Sequence, residues 1–557
     1  MTEYKTPGVY VKEISKFPPS VAGVATAIPA FIGFTENSDN QLKAMRINSL
    51  LDYENLFGVG PELEIDENGK LQKHEFVLYD SIRLFFDNGG GTCYVVSIGN
   101  YETTAFNADQ YTKGLEPLKK VDEVTLLVAP DAAMLLNETQ LGSVHKAMLE
   151  QCATLGDRFA ILDPKKQDDL KKALENFREK VGSNGLSYGA AYYPYLKTTY
   201  TKDISFDEML NIIDIKGKAQ KINQFNDYYN KGTIELIIPS FKEQVKTLDS
   251  RIDALTKEID GLTNDDEIAA KTKEKAEVEE KKNEAEQKIV ELKKFSINDK
   301  GILQYDNTDI TDETFVNNPI GEEMCGVVLA AIPEIKNKKA LMAKAFATQI
   351  DGYAENLAEL QAQASIITPS GAMAGIYAAT DGSKGVWQAP ANMSIASVAA
   401  VTEIISDNDQ ADMNVDANAG KSVNAIRFFT GKGLLVWGAR TLDGNSNEWR
   451  YVSVRRLFNY VEESVQKSTN WAVFQPNDAN TWVKIQCQIE NFLNNLWRDG
   501  ALAGPTPDKA YYVKVGLDVT MTADDINNGY LIVEIGIAAV RPAEFIVLKF
   551  SHKVQEA

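Results

Sequence analysis

The sequence predicts a multidomain protein of mixed class, α/β and α+β, with a helical hairpin in its middle third. Three observations predict this fold class. At 557 residues the chain is too long for one hydrophobic core of ordinary domain size. Short apolar runs alternate with helix-like stretches between Ala27 and Leu196, as in α/β proteins. A seven-residue apolar repeat from Phe241 to Leu262 is typical of a coiled coil.

Residues 1–26 are interpreted as an arm. Val9 and Val11 alternate with Tyr10, as in a half-buried strand, and Phe17-Pro18-Pro19 ends any regular element. A segment this short cannot bury its apolar side chains alone. We therefore expect it to join the edge of a sheet.

Residues 27–197 are interpreted as an α/β domain. Its predicted elements are strands at Cys93–Ile98, Val124–Ala129 and Phe159–Asp163, and helices at Ser143–Leu155 and Asp168–Val181. Because the strands alternate with the helices, the pattern favours a sheet with helices packed on it.

A helical hairpin is predicted over about residues 239–295. The apolar positions are spaced alternately by four and three residues and are Phe241, Val245, Leu248, Ile252, Leu255, Ile259 and Leu262. After a break at Gly261–Asp266, compatible spacing resumes at Val278, Ala285, Ile289 and Leu292. An antiparallel hairpin is the simplest structure, with arms on the order of 35 Å long. A further helix is predicted from Asn337 to Ala364.

Residues 367–530 are interpreted as a second core domain with two amphipathic helices. One apolar stripe follows Arg455 and Arg456 and contains Leu457, Phe458, Val461 and Val465; the other contains Trp482, Ile485, Ile489, Phe492, Leu493, Leu496 and Trp497. Such stripes are most simply core positions.

Residues 531–557 are interpreted as a strand followed by a second arm. The predicted strand covers Tyr530–Val540, the turn Arg541–Glu544, and a second strand Phe545–Phe550. Both faces of that last strand are apolar. It is an aggregation hazard unless something covers it.

Composition excludes several classes of function. Apolar residues make up 44% of the chain and charged residues 25%, which is typical of a soluble globular protein. A net charge of −21 disfavours nucleic acid and anionic membrane surfaces as partners. Neither a membrane span nor a signal peptide is recognised, so we expect folding in the cytoplasm.

No catalytic, cofactor or metal site is predicted. Cys93, Cys152, Cys325 and Cys487 lie far apart and are expected to be buried, inert thiols, and the three histidines, His74, His145 and His552, have no ligand-spaced neighbour. The glycine clusters at 89–91 and 431–433 lack the features of a phosphate-binding loop. Ser370 lacks the flanking glycines of a nucleophile elbow. Neither Asp163 nor Asp381 has an evident carboxylate partner in the sequence.

Several glycine- and tryptophan-containing blocks occur in a recognisable order. They are Thr6–Val11, Pro369–Tyr377, Thr380–Gly382, Gly385–Asn392, Asn424–Arg427, Gly433–Leu442, Trp449–Arg456 and Gly536–Val547. Taken singly, each block is explained by glycine turns beside buried aromatic residues. Together they resemble the tail-sheath proteins of contractile bacteriophages and of phage-derived contractile injection systems. The resemblance covers roughly residues 1–35 and 369–557.

The resemblance implies a structural subunit that polymerises helically around an inner tube and contracts to drive the tube through a target envelope. The implied partners are further copies of the chain, the inner tube protein, the baseplate and terminator or cap proteins, with neither nucleic acid nor direct membrane insertion. Assembly would take place in the bacterial cytoplasm, and the product would be a phage tail or a released or membrane-anchored injection particle. No cofactor is implied.

The resemblance also implies interface residues and a domain division. The arm residues exchanged between subunits would be Val9, Tyr10, Val11, Phe545, Ile546, Val547, Leu548 and Phe550, and the tube-facing residues Lys484 and Arg498. In the family, the strand resembling Ala190–Leu196 leads rather directly to the Pro-Ser-Gly block. Here about 170 residues intervene, so residues 198–366 are predicted to be an inserted outer domain.

Alternatives remain open at this point. The hairpin is either a contact arm on the outside of an assembly or a solvated stalk without a partner. From a different class, the chain would be an intracellular α/β enzyme or scaffold that dimerises through its coiled-coil arm. That alternative predicts a compact oligomer with a ligand pocket.

Overall fold

The computed structural model describes most of the chain. The described residues are 20–66, 70–202, 204, 209, 218–297, 303–306, 308–310, 314–315, 318–330, 353–416 and 418–548. The chain divides into two compact units: residues 1–64, 71–203 and 361–557 form the first, and residues 65–70 and 204–360 form the second.

The strands in the described part of the chain are short and numerous. In chain order they are β1 (Pro29–Thr35), β2 (Met45–Ile47), β3 (Glu64–Ile65), β4 (Leu71–Gln72), β5 (Cys93–Asn100), β6 (Leu126–Val128), β7 (Phe159–Leu162), β8 (Gly189–Tyr193), β9 (Leu196–Thr198), β10 (Phe295–Ile297), β11 (Leu303–Tyr305), β12 (Thr308–Asp309), β13 (Ile366–Ile367), β14 (Met393–Ser394), β15 (Val398–Val401), β16 (Asn424–Phe429), β17 (Gly433–Val436), β18 (Tyr511–Val515) and β19 (Val533–Ile537).

The helices vary from one turn to more than ten. In chain order they are α1 (Leu50–Phe57), α2 (Leu78–Asp87), α3 (Ala108–Leu115), α4 (Pro130–Leu135), α5 (Glu138–Leu155), α6 (Leu170–Lys180), α7 (Lys218–Asp260), α8 (Asp265–Leu292), α9 (Tyr353–Ala364), α10 (Ser370–Lys384), α11 (Asp407–Asn414), α12 (Val452–Thr469), α13 (Ala479–Arg498), α14 (Pro507–Ala510) and α15 (Ala523–Asn527).

A nine-stranded sheet organises the first unit, in the order β14-β17-β16-β8-β7-β6-β1-β5-β2 within the described residues. The six strands from β16 to β5 run parallel to one another, and β14, β17 and β2 are antiparallel additions at the margins of the sheet. Parallel strands are normally covered on both faces, and every residue of β1 is buried accordingly. The sheet combines strands from the ranges 27–197 and 367–530.

Side chains that alternate along the strands enter two hydrophobic clusters, one on each face of the sheet. In β1, Ile32 and Phe34 belong to one cluster and Phe31 to the other. Helices α3 and α5 contribute to the first cluster, and helices α2 and α10 to the second. The prediction of a mixed α/β fold is confirmed.

The Pro-Ser-Gly block forms helix α10, not the glycine turns that were one explanation of it. Its glycines allow α10 to approach α2 closely. A Cβ at Gly371 would lie 2.4 Å from the carbonyl oxygen of Ser81, and one at Gly375 would lie 2.5 Å from that of Phe85. The small residues are therefore explained by helix packing.

The C-terminal part of the first unit has its own core. Helices α12 and α13 and the hairpin β18–β19 pack around Leu457, Ile489 and Leu493. Val21, from the N-terminal segment, is buried in the same cluster. Both predicted amphipathic helices are confirmed as elements whose apolar stripes face a core.

The second unit contains two long helices that contact each other, α7 and α8. Ion pairs join Arg251 to Glu274, Glu258 to Lys271 and Asp249 to Lys282 across the two helices, at 2.6, 2.8 and 2.7 Å. Partner numbers fall along α8 as they rise along α7, so the helices run antiparallel. Helix α7 begins at Lys218, well before the predicted start near residue 239.

Other predicted elements have mixed outcomes. The strands at 93–98, 124–129 and 159–163 appear as β5, β6 and β7. Residues 353–364 of the predicted helix 337–364 form α9, and the rest lies outside the described residues. The second C-terminal strand, predicted at Phe545–Phe550, is wrong for the isolated chain, because residues 545–548 form no regular secondary structure.

Candidate functional site

The C-terminal arm residues are exposed. Phe545, Ile546, Val547 and Leu548 have relative exposures of 72, 79, 76 and 72%. Four consecutive large apolar side chains in water are unfavourable, at about 1.5 to 3 kcal/mol for each one left unburied. This run is therefore a candidate contact for another surface. Phe550 lies outside the described residues.

The polypeptide before this run is fixed to the first unit. The amide of Ala538 donates to the carbonyl of Ala510 at 2.8 Å, and the amide of Val540 donates to the carbonyl of Ala501 at 3.2 Å. Residues 541–543 then lead to Glu544. The freely exposed part of the arm begins directly after that residue.

The side chain of Glu544 is held by three residues, which we call the clasp: Asn414, Arg440 and Tyr451. The Arg440 guanidinium donates from Nε at 2.9 Å and from Nη2 at 2.7 Å, one to each carboxylate oxygen. Asn414 Nδ2 donates at 2.8 Å and the Tyr451 hydroxyl at 3.1 Å. A two-pronged arginine–carboxylate contact is among the stronger and more directional polar contacts in proteins.

Hydrogen bonds connect the clasp residue Arg440 to the nine-stranded sheet. Asn424 of β16 accepts from the Arg440 amide at 2.8 Å and donates to the Arg440 carbonyl at 2.8 Å and to the Ala191 carbonyl at 3.1 Å. Partial burial alone would raise the pKa of Glu544. The donors of Arg440 and Asn414 outweigh this effect and leave the pKa below its usual range.

The described N-terminal segment runs antiparallel to α12. The amide of Ala22 donates to Ser468 Oγ and the amide of Val24 to Ser464 Oγ, both at 3.2 Å. Further along, Arg456 Nη2 donates to the carbonyl of Thr26 at 2.8 Å. The predicted exchange residues Val9, Tyr10 and Val11 lie outside the described residues, upstream of this anchored segment.

Beside the N-terminal segment, Arg456 forms a buried ion pair. Its guanidinium contacts Asp381 of α10 at 2.6 and 3.0 Å and lies 4.7 Å from the Tyr377 ring centroid. The Tyr377 hydroxyl is 2.7 Å from that of Tyr192 in β8. Arg456 of α12 thus connects α10, through Asp381, with the N-terminal segment, through Thr26.

An apolar groove of about 960 Å³ lies next to the C-terminal hairpin. Val465 of α12, Ile489 of α13, and Ile535 and Ile537 of β19 are among the residues that line it. Phe474 also lines the groove, is fully exposed, and has a φ of +66°. A non-glycine residue in this region of backbone space is uncommon. The groove is a candidate binding surface of one polypeptide for another.

Lys484 and Arg498, the predicted tube-facing residues, are exposed on α13. Fourteen residues separate them, which places them within about 40° of each other around the helix axis at 3.6 residues per turn. Asn491, between them, is exposed as well. The three residues form one polar face opposite the buried stripe.

Ser370 and Asp163, which are considered as candidates for chemistry in the sequence, contact each other at the start of α10. Among the described residues, no group of three or more histidine, cysteine or acidic side chains could hold a metal ion. Asp163 accepts from the amide of Ser370 at 3.0 Å and from its hydroxyl. Burial raises the pKa of Asp163 to about 7 against the effect of these bonds. Asp163 therefore interacts with the start of α10.

Other sequence expectations have mixed outcomes. Cys93, Cys152 and Cys325 are buried as expected, but Cys487 is exposed on α13, so the prediction of buried thiols is wrong for Cys487. In the described part of the chain, none of the helices has the length and apolar character needed to span a membrane.

The clasp was missed because its residues come from four separate segments, and no spacing pattern connects Arg440 with Glu544.

The sequence matches known proteins at its C-terminal end. The profile of the family described as "Phage tail sheath C-terminal domain" matches residues 445–553. The tail sheath protein of Vibrio phage KVP40 is 24% identical over 182 residues, and that of Enterobacteria phage T4 is 24% identical over 179 residues. Each alignment covers 32% of this chain and 26% of the relative's length.

Similar solved structures extend over the whole chain. The helical sheath of the anti-feeding prophage (AFP) in its contracted state has a TM-score of 0.56 at 25% identity, over 99% of this chain and 100% of that one. The PVC sheath complex of an extracellular contractile injection system, also contracted, has a TM-score of 0.55 at 25% identity, over 100% and 99% of the two chains.

The relatives named above are sheath components, in agreement with the prediction of a structural protein and not an enzyme. The C-terminal profile covers the clasp residue Tyr451, helices α12 and α13, the hairpin β18–β19 and the arm. The structural similarity adds the nine-stranded sheet and the remaining chain. The profile, the relatives and the whole-length structural similarity agree with the resemblance of this chain to contractile tail-sheath proteins.

Proposed function

We propose that this protein is the sheath subunit of a contractile tail or injection particle. It polymerises helically around an inner tube and contracts to drive that tube through a target envelope. The observation that carries the proposal is the whole-length similarity to sheath chains of two contractile injection systems, combined with an exposed apolar C-terminal arm. The particle is a phage tail or an extracellular injection particle.

The arms would connect neighbouring subunits by adding strands to a sheet. Hairpin β18–β19 is two-stranded within the described residues, so each strand has an outer edge that can accept another strand. The apolar groove beside β19 would receive side chains of an added strand. Residues Val9, Tyr10 and Val11 and residues Phe545–Leu548 and Phe550 are the proposed donors.

Exchange of this kind produces a helix. A donated arm uses one surface of the donor and a different surface of the acceptor, so the contact is heterologous and propagates without closing. Rigid cores connected by flexible arms can then move between two packings, which needs no nucleotide. We propose further copies of this chain, an inner tube protein, and baseplate and cap proteins as partners. An AFP baseplate structure contains a chain of similar fold, with a TM-score of 0.55.

The polar face of α13 is the proposed contact with the inner tube. Lys484 and Arg498 give this face positive charge, although the chain as a whole carries −21. Such a local excess favours an acidic partner surface. Replacing both residues by glutamate should weaken co-assembly with the tube protein without affecting assembly of the sheath alone.

The helices α7 and α8 are proposed to form a coiled-coil hairpin in an outer domain. Leu255 and Ala285, both at predicted apolar positions, are buried, and ion pairs flank them across the two helices. Deleting the distal half of this hairpin distinguishes a contact arm from a solvated stalk. A stalk without a partner leaves assembly and contraction unchanged.

A charge placed in the C-terminal arm tests the proposed function. Ile546→Glu should abolish polymerisation because a buried, unpaired carboxylate opposes strand addition. Val290→Glu is the matched control, since Val290 is an exposed apolar residue on α8 in the second unit. Sedimentation and negative-stain electron microscopy should show hollow, striated cylinders for wild type and Val290→Glu only. Cylinders formed by Ile546→Glu would contradict the exchange.

A further inference from the structure

The clasp is a carboxylate site built on residues of the first unit. Arg440 has a side-chain exposure of 5% and its Nη1 donates to the carbonyl of Asn414 at 3.1 Å, while Asn424 fixes its backbone. The Asn414 carbonyl therefore helps to orient the guanidinium in addition to Glu544. A planar guanidinium held in this way presents two parallel donors to one carboxylate.

Other carboxylates near the C-terminus are bound differently. Glu534 in β19 accepts from the Tyr512 hydroxyl at 2.8 Å and lies 3.9 Å from Lys514, with about half of each charged side chain in solvent. Such an exposed pair contributes little to stability. Glu544 is only 22% exposed and receives donors from three residues of the core.

Glu544 lies between the last backbone contact with the core and the exposed apolar run. Val540 makes the preceding backbone contact with the core, and the exposed apolar run begins at Phe545. Without the clasp, residues 541–544 would be added to the free segment. With the clasp, the arm leaves the core at Glu544, and residues 541–544 are not part of the free segment.

We propose that Asn414, Arg440 and Tyr451 hold Glu544 in order to position the C-terminal arm for delivery to a neighbouring copy of the chain. They are positioning residues, because the neighbouring copy is contacted by the arm and not by the clasp. This inference rests on the proposed function, since it presupposes that the arm is donated.

The expected effect of the clasp is on assembly more than on folding. When Glu544 is released, residues 541–544 must be ordered each time the arm binds a neighbour. Ordering one additional residue of backbone reduces an equilibrium constant by about tenfold. The critical concentration for polymerisation should therefore rise by at least about tenfold in Glu544→Ala.

The test compares Glu544→Ala with the matched control Glu123→Ala in the full-length protein. Glu123 accepts from the Tyr94 hydroxyl at 2.9 Å and lies 3.3 Å from Arg46 Nε, with a side-chain exposure of 54%. Both variants remove one carboxylate that contacts an arginine and a tyrosine, but only the first releases the arm. Critical concentration is measured by sedimentation. Arm mobility is measured in unassembled subunits by electron paramagnetic resonance of a nitroxide at Leu548→Cys, with Cys487→Ser removing the exposed native thiol.

The proposal expects a more mobile nitroxide and the rise in critical concentration for Glu544→Ala, with wild-type behaviour for Glu123→Ala. Tyr451→Phe, which removes a single hydrogen bond, should shift both quantities in the same direction by a smaller amount. This variant keeps the test decisive if Glu544→Ala folds poorly.

Two outcomes overturn the proposal: an unchanged nitroxide spectrum in Glu544→Ala, or a critical concentration within about twofold of wild type, less than ordering one residue would cost. If Ile546→Glu blocks polymerisation while Glu544→Ala does not, the positioning role alone fails. If Ile546→Glu polymerises normally, the proposed function fails as well.

Discussion

Single charged residues connect distant parts of the first unit. Arg456 joins α12 to α10 and to the N-terminal segment, and Arg440 joins the sheet to the C-terminal arm. Burying a charge is costly unless it is paired and hydrogen-bonded, and both arginines meet that condition. Both arginines therefore hold the core at the points from which the terminal segments depart.

The Arg456–Asp381 pair gives a prediction at the residue scale. Arg456→Met should destabilise the subunit by about 3 to 5 kcal/mol, because Asp381, whose side chain is 6% exposed, would remain buried without its cation. The double variant Arg456→Met/Asp381→Leu should recover much of that loss. Thermal and denaturant unfolding of both variants measures the difference. Equal destabilisation by the two would contradict this explanation.

Pairings of this kind are hard to predict from one sequence. Seventy-five residues separate Asp381 from Arg456, and 104 separate Arg440 from Glu544. Charged residues at such separations show no periodicity, and the chain offers 137 Lys, Arg, Asp and Glu side chains in total, 58 basic and 79 acidic. The exposed Lys484 and Arg498 could be placed on one helix face because local spacing alone determines it.

At the scale of elements, local pattern predicted most of the described strands and helices that it addressed. Apolar runs at 93–98, 124–129 and 159–163 became β5, β6 and β7 because central strands of a parallel sheet are buried on both faces. The glycine-rich block at 369–377 became a helix, since its glycines serve contact with α2 and not a turn. Such a contact is not visible in local spacing.

Two glycines of α10 allow a matched test of that contact. Gly375→Ala should destabilise the subunit by about 1 to 3 kcal/mol, because the new Cβ would lie 2.5 Å from the Phe85 carbonyl oxygen. Gly382→Ala, in the same helix with open space around it, should stabilise by about 0.5 to 1 kcal/mol. Denaturant unfolding measures both. Similar effects at the two positions would show that helix propensity, not packing, determines the outcome.

The prediction of a second C-terminal strand is wrong for a different physical reason. Residues 545–548 have the composition of a strand, but a strand requires a hydrogen-bonded neighbour, and the described residues supply none to this segment. The sequence pattern therefore describes a conformation that we expect only in an assembly. Apolar exposure of the same residues supports that interpretation.

At the scale of the whole molecule, a rigid core carries segments that leave it at defined anchors. The nine-stranded sheet and the α12–α13 core bury their apolar side chains within one chain, whereas the C-terminal arm does not. Under the proposed function, such a subunit is incomplete until a second copy covers the arm. Helical growth is the expected consequence, because donor and acceptor surfaces differ.

Deletion of residues 541–557 tests this account most directly. The truncated subunit should keep its folded core, because that segment contributes no strand and no buried apolar side chain among its described residues. Circular dichroism and thermal unfolding check the fold, and negative-stain electron microscopy checks assembly. We expect a folded protein that forms no cylinders under conditions in which the full chain does. Cylinders of normal width and length from the truncated subunit would contradict it.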